Sequence, residues 1–181
     1  DLFWALRGGG GNFGVVTGFG FKLHPLGPQV MSGLVVHPFA DAEKVLAAYR
    51  TVTAQSPDEL TTFVVMRKAP PLPFLPESWH GREVVVLAAC YAGDMAAGEK
   101  AMAPLRQIGN PIADVISPHS FAGWQQAFDP LLTPGARNYW KSHDLAEITD
   151  AFQAKLIDFS ARLPGPECEI FIAHLGGAMG R

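Results

Sequence analysis

The chain has 181 residues, of which 48% are apolar and 17% charged, and its formal net charge is −3 at neutral pH. That length and composition suit a globular domain with a substantial core and exclude a disordered polypeptide. The slightly acidic balance provides no footprint for nucleic acid, and no apolar run approaches the roughly 18 residues that cross a bilayer. No secretory leader is visible, so a cytoplasmic location is expected. The two cysteines, Cys90 and Cys168, lie in apolar strand-like stretches and read as buried free thiols. Neither has metal-ligand spacing to a second Cys or His, so no metal is expected.

The chain opens on Asp-Leu-Phe-Trp-Ala-Leu-Arg followed by Gly8–Gly11, Asn12, Phe13 and Gly14. A main chain this bare can approach a ligand closely, take up positive φ and turn its N–H groups toward an anion. Gly9, Gly11 and Gly14 satisfy Gly-x-Gly-x-x-Gly, but the dinucleotide-binding fingerprint needs a helix directly downstream and an acid about 20 residues on. Val15–Leu23 instead alternates Phe19, Phe21 and Leu23 with small or polar residues, which is a strand pattern, and no acid occurs between Gly14 and Asp41.

His24-Pro25-Leu26-Gly27-Pro28 is a proline-rich break and marks a domain boundary, with residues 1–28 before it and 29–181 after it. Beyond it, Val30–His37 reads as a strand. A helix follows from a cap at Asp41 to about Ser56, with Val45, Leu46, Tyr49 and Val52 as its apolar stripe. Leu60–Ala69 and Glu83–Ala92 are predicted strands joined by a proline-rich loop. Asp94 caps a helix to about Ile108 whose last turn holds Pro104, with Met95, Met102 and Leu105 facing inward. Then come a short helix at Phe121–Phe128 capped by Ser120, a strand at about 136–143, a helix from about Ala146 to Leu163, and a strand at Glu167–His174.

This order predicts an α+β fold: a ferredoxin-like βαββαβ core plus an extra α-β unit, with an antiparallel sheet and helices packed on one face. The other face needs a cover, from neighbouring chain or from a second copy in a homodimer.

Alternation along 136–143 puts Arg137, Tyr139 and Lys141 on one face, and Asn138 and Trp140 on the other. A phenol between two cations is stabilised as phenolate, which would let Tyr139 accept a hydroxyl proton from an alcohol. The same pattern also fits a polar face at the sheet rim with Trp140 in the core. In the last strand, His174 beside Gly176-Gly177 is either a substrate contact or a strand-end histidine bonded to backbone.

The run Asp-Leu-Phe-Trp-Ala-Leu-Arg-Gly-Gly-Gly-Gly-Asn-Phe-Gly-Val-Val-Thr, within Asp1–Pro28, resembles the closing segment of the flavin domain in berberine-bridge-type FAD oxidoreductases, part of the vanillyl-alcohol-oxidase type of flavoproteins. Arg137-Asn138-Tyr139-Trp140-Lys141-Ser142 and His174-Leu175-Gly176-Gly177-Ala178 resemble two substrate-domain signatures of the same family. The resemblance implies that residues 1–28 are the end of an FAD-binding domain and that 29–181 are a substrate-binding domain lacking its C-terminal part. It implies FAD in the full-length protein, none held by this fragment alone, and a partner in the flavin domain of its own chain. Gly10, Gly11, Asn12, Gly14 and Val15 would contact the cofactor through backbone atoms at its diphosphate or adenine side, with Arg7 near phosphate charge.

The implied reaction is hydride transfer from an alcohol, amine or activated C–H substrate to the flavin, with oxygen as acceptor. Tyr139 and Lys141 are the catalytic candidates, and His174 a weaker one. Where many relatives have a glutamate before the His-Leu-Gly-Gly motif, this chain has Ala173, which puts a carboxylate base on that strand in doubt. The alternative is a non-catalytic ferredoxin-like module that binds a small molecule or a second copy of itself.

Overall fold

The computed structural model describes residues 1–132 and 134–180; Thr133 and Arg181, the last residue of the second predicted region, lie outside them. The strands are β1 (Gln29–Pro38), β2 (Leu60–Lys68), β3 (Glu83–Tyr91), β4 (Ala113–Asp114), β5 (Ser117–Ser120) and β6 (Glu169–Ala173). The helices are α1 (Leu2–Leu6), α2 (Ala42–Thr53), α3 (Met95–Arg106), α4 (Phe121–Gln125) and α5 (Asp150–Ser160). The sheet order is β4-β1-β3-β2-β6, with β5 also paired to β1 and every pairing antiparallel. This is the order of a βαββαβ core, and the added α5–β6 unit extends it at the β2 edge.

One face of the sheet carries the main core. Val35, Leu60, Val64, Met66, Val85 and Leu87 meet Val45, Leu46 and Tyr49 of α2, Met102 and Leu105 of α3, and Leu156 of α5. The stripe predicted on α2 is therefore the buried one, because a period of 3.6 residues fixes which side chains share a face. Asp94 caps α3, accepting a hydrogen bond from the Ala97 N–H at 2.9 Å, and Ser120 does the same for Gly123 at 3.0 Å. Asp41 stands at the N-cap of α2 without a side-chain cap bond. α5 is tied across to α2, with Gln153 Nε2 donating to the Glu43 carbonyl at 2.9 Å and Arg50 paired with Asp150.

Gly33 sits in β1 with φ +153, and an added Cβ would lie 2.4 Å from the Val115 carbonyl oxygen and 2.5 Å from Ile116 Cα. The bare backbone at this point lets the connection between β4 and β5 press against β1. The second sheet face is partly covered: Leu75 of the proline-rich loop packs on Val36 and Val84, with Leu72, Phe74 and Trp79 around it.

Five expectations are corrected. Residues 136–143 form no strand, and Trp140 is 68% exposed rather than core. Val15–Leu23 likewise forms no strand and is exposed throughout, although Phe19 and Phe21 stack at 5.3 Å as residues two apart on one side of an extended chain do. In both, alternation is present but no partner strand lies alongside among the described residues, and a strand without a ladder is unstable in water. The helix expected from Ala146 starts at Asp150 because Thr149 caps it, its side chain accepting from the Phe152 N–H at 3.2 Å. The short helix expected to reach Phe128 ends at Gln125. Cys90 and Cys168 are free, as expected, but half-buried.

Candidate functional site

The glycine segment is more structured than its composition implies. α1 is followed by a 3-10 turn over Gly10–Phe13, and the chain leaves it through Gly14 at φ +130. Gly9 is the tight position: an added Cβ would fall 2.2 Å from the Phe13 ring and 2.4 Å from the Ala5 carbonyl oxygen. Its N–H donates to that carbonyl at 3.0 Å, and Asn12 Nδ2 donates to the Gly9 carbonyl at 2.8 Å. Around Gly11 and Gly14, by contrast, an added Cβ would meet nothing within 4 Å. Gly10, Gly11, Asn12, Gly14 and Val15 are all exposed, so a bulky anion can reach their main chain without displacing protein. This bare, open stretch suits a phosphate-bearing cofactor. Among the described residues no α-helix starts between Gly14 and α2, and no parallel strands back the segment. Arg7 lies over the Phe3 ring, 4.9 Å from its centroid.

Tyr139 is 85% exposed, and Lys141 Nζ lies 5.7 Å from its ring centroid, over the π face. The pair is thus adjacent, but through the ring rather than through the phenol oxygen. No hydrogen bond joins the glycine segment to Tyr139, Lys141 or His174 among the described residues.

His174 follows the end of β6. Its backbone N–H donates to the Thr62 carbonyl at 3.2 Å, and its ring Nδ1 is buried without a hydrogen-bond partner among the described residues. Gly176 passes close to that ring: an added Cβ would lie 3.2 Å from its Cε1. Gly177, at φ +59, lies beside the Asp58 carboxylate. The Gly-Gly pair therefore folds the chain back across the end of the sheet.

The register of the sheet assembles a group of residues that no local sequence signal marked. On the face away from α2, α3 and α5, Thr61 is opposite Cys90, Cys90 opposite Ser32, and Ser32 opposite Ser117. Ser32 has no exposed surface, and its Oγ is 3.1 Å from His119 Nδ1, while His119 Nε2 is 3.5 Å from Ser117 Oγ. Trp124 of α4 stands 6.2 Å from the His119 ring, centroid to centroid. Next to this row the face turns apolar: Phe63 and Phe171 are in ring contact at 5.0 Å, and Arg67 and Glu169 form an ion pair at 2.7 Å further along. Burial raises the pKa of the Cys90 thiol.

Two other ionisable groups are perturbed on the helix side. Burial raises Tyr49 to about 12, opposed by its hydrogen bond to Thr62 Oγ1 at 2.9 Å. Burial lowers His37, whose two ring nitrogens have no partner among the described residues, and the charge of Asp41 opposes the shift. No three His, Cys, Asp or Glu side chains are grouped to hold a metal ion among the described residues. Among the described residues no helix is long and apolar enough to cross a membrane.

No family model matches the sequence. The chain is 29% identical over 180 residues to an FAD-linked oxidoreductase of Dictyostelium discoideum, a match covering 98% of this chain and 36% of that protein. It is 27% identical over 189 residues to an uncharacterised FAD-linked oxidoreductase of Bacillus subtilis, covering all of this chain and 38% of the relative. The chain thus spans little more than a third of the length of these relatives. Its fold is similar to part of a 6-hydroxy-D-nicotine oxidase from Arthrobacter nicotinovorans, with a TM-score of 0.56 and 23% identity over 75% of this chain and 28% of that one. A bare glycine segment thus leads into an antiparallel α+β domain, and along nearly its whole length this chain is similar to proteins described as FAD-linked oxidoreductases.

Proposed function

We infer that this chain is the substrate-binding part, with the final stretch of the flavin domain, of an enzyme that oxidises an alcohol, amine or activated C–H substrate. The observation that carries the reading is the likeness to FAD-linked oxidoreductases over 98% of the chain. When bound, FAD supplies the acceptor for hydride, and oxygen then restores it. Gly10, Gly11, Asn12, Gly14 and Val15 approach its diphosphate or adenine side with main-chain atoms, in keeping with the open space around Gly11 and Gly14.

Tyr139 orients the substrate or takes its hydroxyl proton, and Lys141, already against the Tyr139 ring, supports the developing negative charge. His174 is a further substrate contact at the end of β6. These few contacts do not hold the cofactor alone, so the fragment is inactive without the flavin domain of its own chain. A cytoplasmic location goes with this reading. The second reading, a non-catalytic ferredoxin-like module that binds a small molecule or forms a homodimer, is favoured only by the partly uncovered sheet face.

Purified full-length protein should show flavin absorbance that bleaches on anaerobic addition of substrate. A full-length protein without flavin would overturn the assignment, and a Tyr139→Phe variant with unchanged reduction rate would remove the role of Tyr139.

A further inference from the structure

A cleft lies at the end of the sheet where β1 leaves and β3 begins, at the opposite end of β2 from His174. It encloses about 480 Å³, within the range of about 300–1,000 Å³ that small-molecule sites occupy. Its walls come from three parts of the chain. Pro38 and Phe39 stand between β1 and α2, Trp79, Arg82 and Glu83 at the entry to β3, and Ala161 just after α5.

These walls are held in place by the fold itself. Phe39 is half-buried against the main core, and Trp79 is half-buried against the smaller cluster around Leu75. Trp79 ends a 3-10 turn, and the Arg82 N–H donates to the Trp79 carbonyl at 3.0 Å. The Gly81 N–H donates to the Ala69 carbonyl and the Ala69 N–H to the Arg82 carbonyl, each at 2.8 Å. The main chain carrying Trp79 and Arg82 is thereby tied to the end of β2.

The cleft is also electrically two-sided. Strand alternation puts Glu83 with Val85 and Leu87 on the helix face, where Ala161 brings the negative C-terminal end of α5. Arg82 stands on the other side, its guanidinium carbon 5.5 Å from the Trp79 ring centroid. Neither Arg82 nor Glu83 has an ion-pair partner among the described residues, although Lys68 is opposite Glu83 in the register. A guanidinium over an indole ring keeps its in-plane N–H groups free to take a carboxylate through two parallel bonds.

We propose that this cleft binds an α-amino acid with an aromatic side chain: Arg82 takes the carboxylate, Glu83 takes the ammonium, and Pro38, Phe39 and Trp79 enclose the ring. A simple anion would meet repulsion from Glu83 and a simple cation repulsion from Arg82, whereas a zwitterion satisfies both. The site is additional to the reaction proposed above and does not depend on it.

Calorimetric titration of the full-length protein with L-phenylalanine tests the site. The analogue 3-phenylpropionate lacks the ammonium, and phenethylamine lacks the carboxylate. Each analogue should bind about tenfold more weakly than L-phenylalanine, the effect of losing one charge-assisted hydrogen bond. Arg82→Gln should weaken L-phenylalanine and 3-phenylpropionate about tenfold and leave phenethylamine no weaker. Glu83→Gln should weaken L-phenylalanine and phenethylamine and leave 3-phenylpropionate no weaker. Both side chains are exposed, so the variants keep the fold, which circular dichroism checks. No saturable heat with L-phenylalanine, or losses that do not sort by charge in this way, would overturn the site. L-phenylalanine bound equally by the parent and both variants would place it elsewhere and overturn the site too. The flavin absorbance of the full-length protein tests the FAD reading separately, so the two failures are distinguishable.

Discussion

His37 makes stability depend on pH in a direction the structure fixes. It lies on β1 facing the helices, fully buried, with both ring nitrogens unpartnered among the described residues. Burial lowers its pKa below 6.5, with Asp41 opposing. The unfolded chain therefore binds a proton near pH 6.5 that the folded chain refuses, so unfolding is favoured as pH falls through that value. The stability contributed by the neutral imidazole is fully present above the unfolded pKa. It is lost as pH drops from there toward the lower folded one.

The limiting slope for one group is about 1.4 kcal/mol per pH unit. Between about pH 7.5 and pH 5.5, His37 should thus remove about 1 kcal/mol. Urea unfolding followed by far-UV circular dichroism at both pH values measures the loss, and His37→Leu isolates it from the carboxylates. The variant should lose about 1 kcal/mol less than the parent over this interval. At neutral pH it should be no less stable, since leucine leaves no buried polar atom unpaired. Parallel pH profiles for the two proteins would refute the reasoning.

Gly33→Ala would drive a Cβ to 2.4 Å from the Val115 carbonyl oxygen, a backbone atom that cannot rotate away, and should cost more than about 2 kcal/mol in the same urea assay. Asp94→Ala removes the side-chain cap of α3 and should cost about 1 kcal/mol. In the full-length protein, Gly9→Val would collide with Phe13 and the Ala5 carbonyl, and flavin occupancy read from absorbance at equal protein concentration should fall several-fold. Tyr139→Phe in the same protein should slow anaerobic flavin reduction by about 100-fold if the phenol handles the proton, measured by stopped flow.

The first five elements of the ferredoxin-like core were legible because each carries its own signal; the fourth strand, expected at 136–143, is instead the two-residue Ala113–Asp114, too short to show a pattern. Val45, Leu46 and Tyr49 repeat at helical spacing, β2 alternates in burial, β3 is a short apolar run, and Asp94 and Ser120 announce helix starts with side chains that bond main chain only three residues away. Such signals depend on neighbours in the chain, so sequence alone determines them. It also determined the family resemblance, through the bare glycine segment and its downstream motifs.

The tertiary structure decided what depends on partners distant in sequence. Alternation at Val15–Leu23 and at 136–143 made neither stretch a strand, because a ladder needs a second strand alongside. Gly33 became obligatory only once Val115 was folded against it. The row joining Ser32 to His119, 87 residues apart, exists only through the register of β1 with β5. Local periodicity says which face a residue occupies; strand pairing alone says which residues share it.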